Sequence, residues 1–198
     1  MPRAAKIYVH YVEAVNRVVG RIAMYLLFAM MGILLWSSIS KTFFFPSLWT
    51  LEMAQFTLVA FYMLGGPYSL QLGSNVRMDL FYSAWLPRRR AWTDAVTVLF
   101  LIFYLVILLW GALSSTAYSL GYFSTDTFGF YATLIGAFMT GGPDAAAAEL
   151  GHMERSATAW RPYLWPVKVI MCVGIFLMLL QAVSELCKDI LRIRGDEI

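Results

Sequence analysis

The residues able to ligate a metal or act as nucleophiles are few and ill placed. His10 and His152 are the only histidines, and Cys172 and Cys187 the only cysteines. A membrane haem needs axial ligands, commonly His, on helix faces, and both histidines fall outside the long apolar runs. Thiol–quinone exchange needs a close cysteine pair. Cys172 and Cys187 share one apolar run, where fifteen positions of helix hold them about 22 Å apart, too far to bridge. They are expected to pack as small hydrophobes. No G-x-S-x-G, H-E-x-x-H or phosphate-cradling glycine loop occurs. The expectation is a chain without catalytic residues, metal or cofactor.

The remaining polar groups point the same way. Inside the apolar runs stand Ser37, Ser38, Gln55, Thr57 and Gln181, with Glu52 and Glu185 at run ends. An ion carrier acting alone should hold ionisable groups deep in the membrane. Their scarcity calls for a partner that supplies the path. Glu52, just after Thr50 as helix cap, is explained by the positive end of the helix dipole, worth roughly 0.3–1 kcal/mol.

The elements that carry these residues are apolar and long. Of 198 residues, 60% are hydrophobic and 14% charged, and the mean hydropathy is +0.67. Soluble domains average about 45–50% apolar and about 25% charged, so the solvent is a bilayer. The net charge of +3 suggests no nucleic acid. Residues 18–40, 51–72, 95–113 and 166–186 each approach the roughly 20 residues that cross about 30 Å of hydrocarbon. Unpaired backbone groups are not tolerated there, so all four must be helices. No small-residue cleavage site follows the first run, which is expected to stay as an anchor. The reading is an all-α integral membrane protein forming a single membrane domain over residues 1–198.

Lys and Arg orient it. Arg3, Lys6, Arg17 and Arg21 precede or open the first run; Arg77, Arg88, Arg89 and Arg90 follow the second; Lys188, Arg192 and Arg194 follow the fourth. These eleven share one side, against Lys41, Arg155, Arg161 and Lys168 on the other. The positive-inside rule puts both termini in the cytoplasm, in a bacterial inner membrane. The triplet Arg88-Arg89-Arg90 reads as a topology determinant contacting anionic lipid.

Shorter features fit around the four spans. Residues 7–19 repeat apolar positions at Ile7, Tyr11, Val15 and Val18. They form either an amphipathic interfacial helix or a plain extension of the first span into water. Gly65-Gly66-Pro67 is either a kink or a close helix contact. Asp79 reads as the cap of a short interfacial helix through Trp85, ended by Leu86-Pro87. The 119–165 connection is far longer than usual. A fifth span through 118–140 is rejected: it would bury Asp126 and put Lys188, Arg192 and Arg194 outside. The expectation is one short helix over 128–139 and a second from Asp144, both resting on the periplasmic surface, with Trp160, Tyr163 and Trp165 at the interface.

In this arrangement the sequence resembles the small, DctQ-like membrane subunit of tripartite ATP-independent periplasmic (TRAP) transporters. The likeness lies in Trp49-Thr50-Leu51-Glu52, Gly65-Gly66-Pro67-Tyr68, Gly73, Val76-Arg77-Met78-Asp79, Leu86-Pro87 before the basic run, and Trp165-Pro166. It covers the four spans, roughly 15–190 apart from the long loop. Asn75 departs from a frequent His. The resemblance implies a scaffold that widens and anchors a large membrane subunit. That partner would hold the sodium and substrate sites, and a periplasmic binding protein would deliver an organic acid or similar carboxylate. On this reading Trp49, Glu52, Gly65, Gly66, Tyr68, Gly73, Arg77, Asp79 and Pro87 are subunit-interface or structural residues. The rival is a stand-alone four-helix protein, such as a small channel or an assembly factor.

Overall fold

The computed structural model describes residues 3–73 and 87–194. These form α1 (Arg3–Phe43), α2 (Thr50–Gln71), α3 (Pro87–Ser119), α4 (Thr127–Ala148) and α5 (Trp165–Arg194). The described residues contain no β-strand, only one isolated bridge between Arg155 and Tyr163. Three stretches are long and apolar enough to cross a membrane: Lys6–Phe43, Trp92–Ser119 and Trp165–Ile190. The 22 residues of α2 are long enough, but Glu52, Gln55 and Gln71 lower its hydropathy below theirs.

Packing follows small residues, as expected where lipid removes the hydrophobic drive between helices. A Cβ on Gly174 of α5 would lie 2.6 Å from the Met63 carbonyl oxygen of α2. One on Gly66 of α2 would strike Met178 of α5, and one on Gly20 of α1 would strike Tyr68 of α2. The pairs Gly66–Met178 and Met63–Gly174 advance together, so α2 and α5 run parallel. Gly20–Tyr68 and the Thr50–Ser37 hydrogen bond of 3.2 Å run oppositely, so α1 and α2 are antiparallel. Helix α5 is the hub, touching α1, α2 and α3. Leu105 and Ala112 of α3 meet Ile175 and Ala182 of α5 in the core, with Met63 and Leu70 of α2 against them.

The expected helix limits are extended at nearly every end. Helix α1 has 41 residues, about 61 Å at 1.5 Å per residue. It is continuous from residue 3, with no separate helix over 7–19. Tyr8 donates to the Leu180 carbonyl at 3.1 Å and Asn16 to Gln181 at 2.7 Å. Those two donors stand about 12 Å apart along α1 yet reach adjacent residues of α5. The start of α1 therefore extends the first span and packs across α5. Its stripe of Ile7, Tyr11, Val15 and Val18 faces outward.

Helix α2 begins with Trp49 in the cap position and Thr50 already helical, one residue earlier than expected. It ends at Gln71 with Leu72 as cap, and Gly73 follows with a φ of 62° that suits a residue without Cβ. Gly65-Gly66-Pro67 lies inside the continuous helix, with Gly66 as a close contact.

The 119–165 connection differs most from expectation. It holds a 22-residue helix, α4, bent at Gly142. Asp126 caps it by accepting from the Gly129 amide at 3.0 Å. Asp144 is no cap: the second segment restarts at Pro143, a favoured first helical residue. It stops at Ala148, where the chain turns to bond Gly151 N to the Leu120 carbonyl at 3.1 Å. Helix α4 leans on the end of α3 through Phe130, Ala117 and Leu120. Tyr131 donates to the Leu113 carbonyl at 3.0 Å, and burial pushes its phenol up to about 12, so it stays a neutral donor.

These contacts predict unequal tolerance of added methyl groups. Gly174→Ala should cost about 1–3 kcal/mol, because a backbone oxygen blocks it and cannot move aside cheaply. Gly32→Ala, whose Cβ meets open space, should leave stability unchanged or raised. Thermal unfolding of the detergent-purified variants checks the contrast.

Candidate functional site: polar locks at both ends of the bundle

Polar side chains that leave the apolar middle gather at two places. At the end where α1 begins and α5 finishes, Lys188 pairs with Glu13 at 2.5 Å and with Glu185 at 2.8 Å. Gln181 donates to Glu185 at 2.9 Å and accepts from Asn16. The spacing 181, 185, 188 sets these three on one face of α5. Asn16, Gln181 and Ser184 are essentially without solvent exposure. Among the described residues Asn16 Oδ1 and Ser184 Oγ have no hydrogen-bond partner, an expense such burial ordinarily avoids.

At the other end the 154–164 segment folds as a small hairpin. Ser156 N bonds the Pro162 carbonyl at 2.9 Å and Leu164 N the Glu154 carbonyl at 3.2 Å. Arg155 sits 4.4 Å over the Tyr163 ring and donates to its hydroxyl. The hairpin grips three helices. Ser156 Oγ donates to Glu52 of α2 at 2.8 Å. Glu154 N bonds the Ser119 carbonyl of α3 at 3.0 Å. Lys168 of α5 joins Glu154 at 2.7 Å and the Ser115 carbonyl at 3.1 Å. A close backbone crossing steadies it: a Cβ on Gly151 would lie 2.5 Å from the Gly121 carbonyl oxygen.

Glu52 is thus more than a helix-dipole partner. It is buried and reaches across the sequence to Ser156, while its Oε2 has no partner among the described residues. Neither lock gathers ligands: among the described residues no group of three or more His, Cys, Asp or Glu could hold a metal. What both arrangements can do is mechanical, fixing helices to each other through short charged and amide contacts.

Of the residues singled out from sequence, Gly66, Tyr68 and Glu52 make contacts within the chain. Trp49 is partly exposed. Gly65 helps line a cavity of about 460 Å³ with Gly20 and Tyr68. Arg88, Arg89 and Arg90 follow Pro87 in the first turn of α3, and Arg89 is exposed. Arg77, Asp79 and the short helix expected from 79 to 85 lie outside the described residues. Sequence reasoning missed Asn16, Ser156, Lys168 and Lys188. Their only signal is polarity beside apolar runs, which does not name a partner on another element, up to 175 residues away for Lys188 and Glu13.

The family model for the DctQ component of tripartite ATP-independent periplasmic transporters matches residues 30–142. The chain belongs to the DctQ family. The match begins within α1, takes in α2 and α3, and ends at the bend of α4. In this DctQ component Glu52 and Gly66 fall inside the matched region, while Ser156, Lys168, Gln181 and Lys188 fall beyond it. No curated protein and no solved structure matches the chain. The family is a transporter component and not an enzyme family.

Removing Lys188 should be severe. Lys188→Met leaves two partly buried carboxylates facing each other uncompensated, at a cost of about 3–5 kcal/mol. Adding Glu13→Gln and Glu185→Gln should recover most of the loss, since the repulsion and unpaired charge go together. Denaturation midpoints of the single and triple variants measure this.

Proposed function

We propose that the chain is the small scaffold subunit of a TRAP-type secondary transporter in a bacterial inner membrane. It pairs with a large membrane subunit that performs sodium-coupled uptake of an organic acid or similar carboxylate. A periplasmic binding protein delivers the substrate. One observation carries the reading. Two charged clusters within the bundle are engaged inside the chain: Lys188 with Glu13 and Glu185, and Lys168 with Glu154. Groups spent on internal locks are not free to pass an ion. The outer faces of α1 and α3 instead present Tyr25, Phe28, Phe103 and Trp110, suited to lipid or to another membrane protein.

Four spans with both termini cytoplasmic fit this role. The stretch from Ser37–Thr50 to Gly20–Tyr68 covers roughly 26 Å of paired α1 and α2, close to the hydrocarbon thickness of about 30 Å. That pairing supports α2 as a fourth span despite its lower hydropathy. Trp49, Arg77, Asp79 and Pro87 remain candidates for the subunit interface. Arg88, Arg89 and Arg90 remain candidates for anionic lipid. Helix α4 carries a second apolar face, Phe128, Ile135 and Met139, all exposed. That face supports packing on the membrane complex more than docking of a soluble binding protein.

Two measurements test the proposal. Cysteine labelling at the N-terminus, beside Arg89, beside Asp144 and at the tail should report in, in, out, in. Proteoliposomes should take up substrate only when the large subunit and the binding protein are both present. Uptake by this chain alone ends the scaffold reading.

A further inference from the structure

Beside the hairpin a groove of about 690 Å³ opens between α2 and α5. Phe56 and Ala60 of α2 and Ile170 of α5 form its floor. Its size falls among sites that bury small ligands, about 300–1,000 Å³. The floor offers a polar ligand nothing, because the Thr57 hydroxyl is engaged with the Met53 carbonyl at 2.7 Å. The rim is different in kind. Trp160 and Trp165 border it with Arg161, and such aromatic side chains favour the headgroup level of a bilayer.

Arg161 is unusual twice over. It is the one non-glycine residue with positive φ among the described residues, at 50°. It also precedes Pro162, which normally holds its predecessor in the extended region. Backbone strain of this kind persists where surrounding structure enforces it, and here it sits in the tip of the hairpin that grips α2 and α5. Arg161 has no ion pair or hydrogen bond among the described residues, although Arg155 beside it is engaged with Tyr163. An apolar floor under an unpaired guanidinium at an aromatic rim is complementary to an amphiphilic anion.

We propose that this groove binds one phospholipid of the outer leaflet, with an acyl chain along the floor and its headgroup phosphate on Arg161. The planar guanidinium matches phosphate oxygens in a two-pronged contact. An apolar helix of another subunit would fill the floor but leave the exposed Arg161 without the anion that its position at the rim suits. The assignment to the outer leaflet rests on the proposed topology. Retention of a phospholipid does not, so the two fail separately.

Native mass spectrometry of the membrane complex, purified in mild detergent, tests the site. The expected result is a phospholipid adduct on this chain. Arg161→Gln should lower adduct occupancy about tenfold, the scale of one charge-assisted hydrogen bond. Thr57→Phe should lower it with Arg161 intact, by filling the floor. Lys41→Gln, a cation outside the groove, should leave it unchanged. No adduct in the natural chain overturns the proposal, as does occupancy unchanged from the natural chain in both groove variants or an equal loss in Lys41→Gln. Efficient disulfide trapping of Thr57→Cys to the large subunit would assign the groove to that partner and also overturn it.

Discussion

The approach of α5 to α2 is the contact on which the rest depends. Gly174 lies so near the Met63 carbonyl that no side chain fits between the two backbones. Lipid gives helices little reason to associate except close packing and polar contacts, so such a site fixes distance and angle together. With α5 seated on α2, Gln181, Glu185 and Lys188 come opposite Asn16 and Glu13. At the other end Lys168 comes within reach of Ser115 and Glu154. Helix α3 then closes on α5 through Leu105 and Ile175. Each lock presupposes this seating, because the locking side chains are too short to bridge helices that stand farther apart.

A family of transporter components gains from such a bundle if its task is to stay still. On the scaffold role proposed above, a moving partner needs a stationary neighbour that does not shear under load. The structure supplies stiffness by clamping opposite ends of α5, the helix that touches most of the others. The hairpin adds a cross-brace, because one short segment holds α2 through Glu52, α3 through Ser119 and α5 through Lys168. Apolar packing alone leaves small sliding motions inexpensive; charged contacts at both ends oppose them.

Much of the fold was legible in the sequence, and the failures share a cause. The apolar runs located α1, α2, α3 and α5, because a bilayer demands about 20 apolar residues of any helix crossing it. Hydropathy reports where hydrocarbon is, and not where backbone hydrogen bonding stops. That is why α1 begins fifteen residues before the run at Val18 and α3 starts at Pro87. Helix α4 was half legible: its apolar stretch was clear, but its length depends on contacts with Leu120 and Ala117. The family was legible from motifs such as Trp49 to Glu52. The locks were not, since Asn16 meets Gln181 and Glu52 meets Ser156 only once the bundle has formed.

The locks also explain why polar residues are kept in an otherwise apolar protein. Replacing a buried ion pair by well-packed apolar side chains is often neutral or stabilising, so stability alone does not account for Lys188 and its two glutamates. Register does. Helices packed on aliphatic and small residues can slip by a turn, about 5.4 Å, and still bury similar surface. A one-turn slip of α5 against α1 would carry Lys188 away from Glu13, stranding Glu13 and leaving Lys188 only Glu185 of its own helix. A slip against the hairpin would likewise part Lys168 from Glu154. The two ion pairs sit near opposite ends of α5, so each end has a contact that opposes a slip. The Gly174–Met63 contact sets how close α5 comes to α2, and the paired charges set its height.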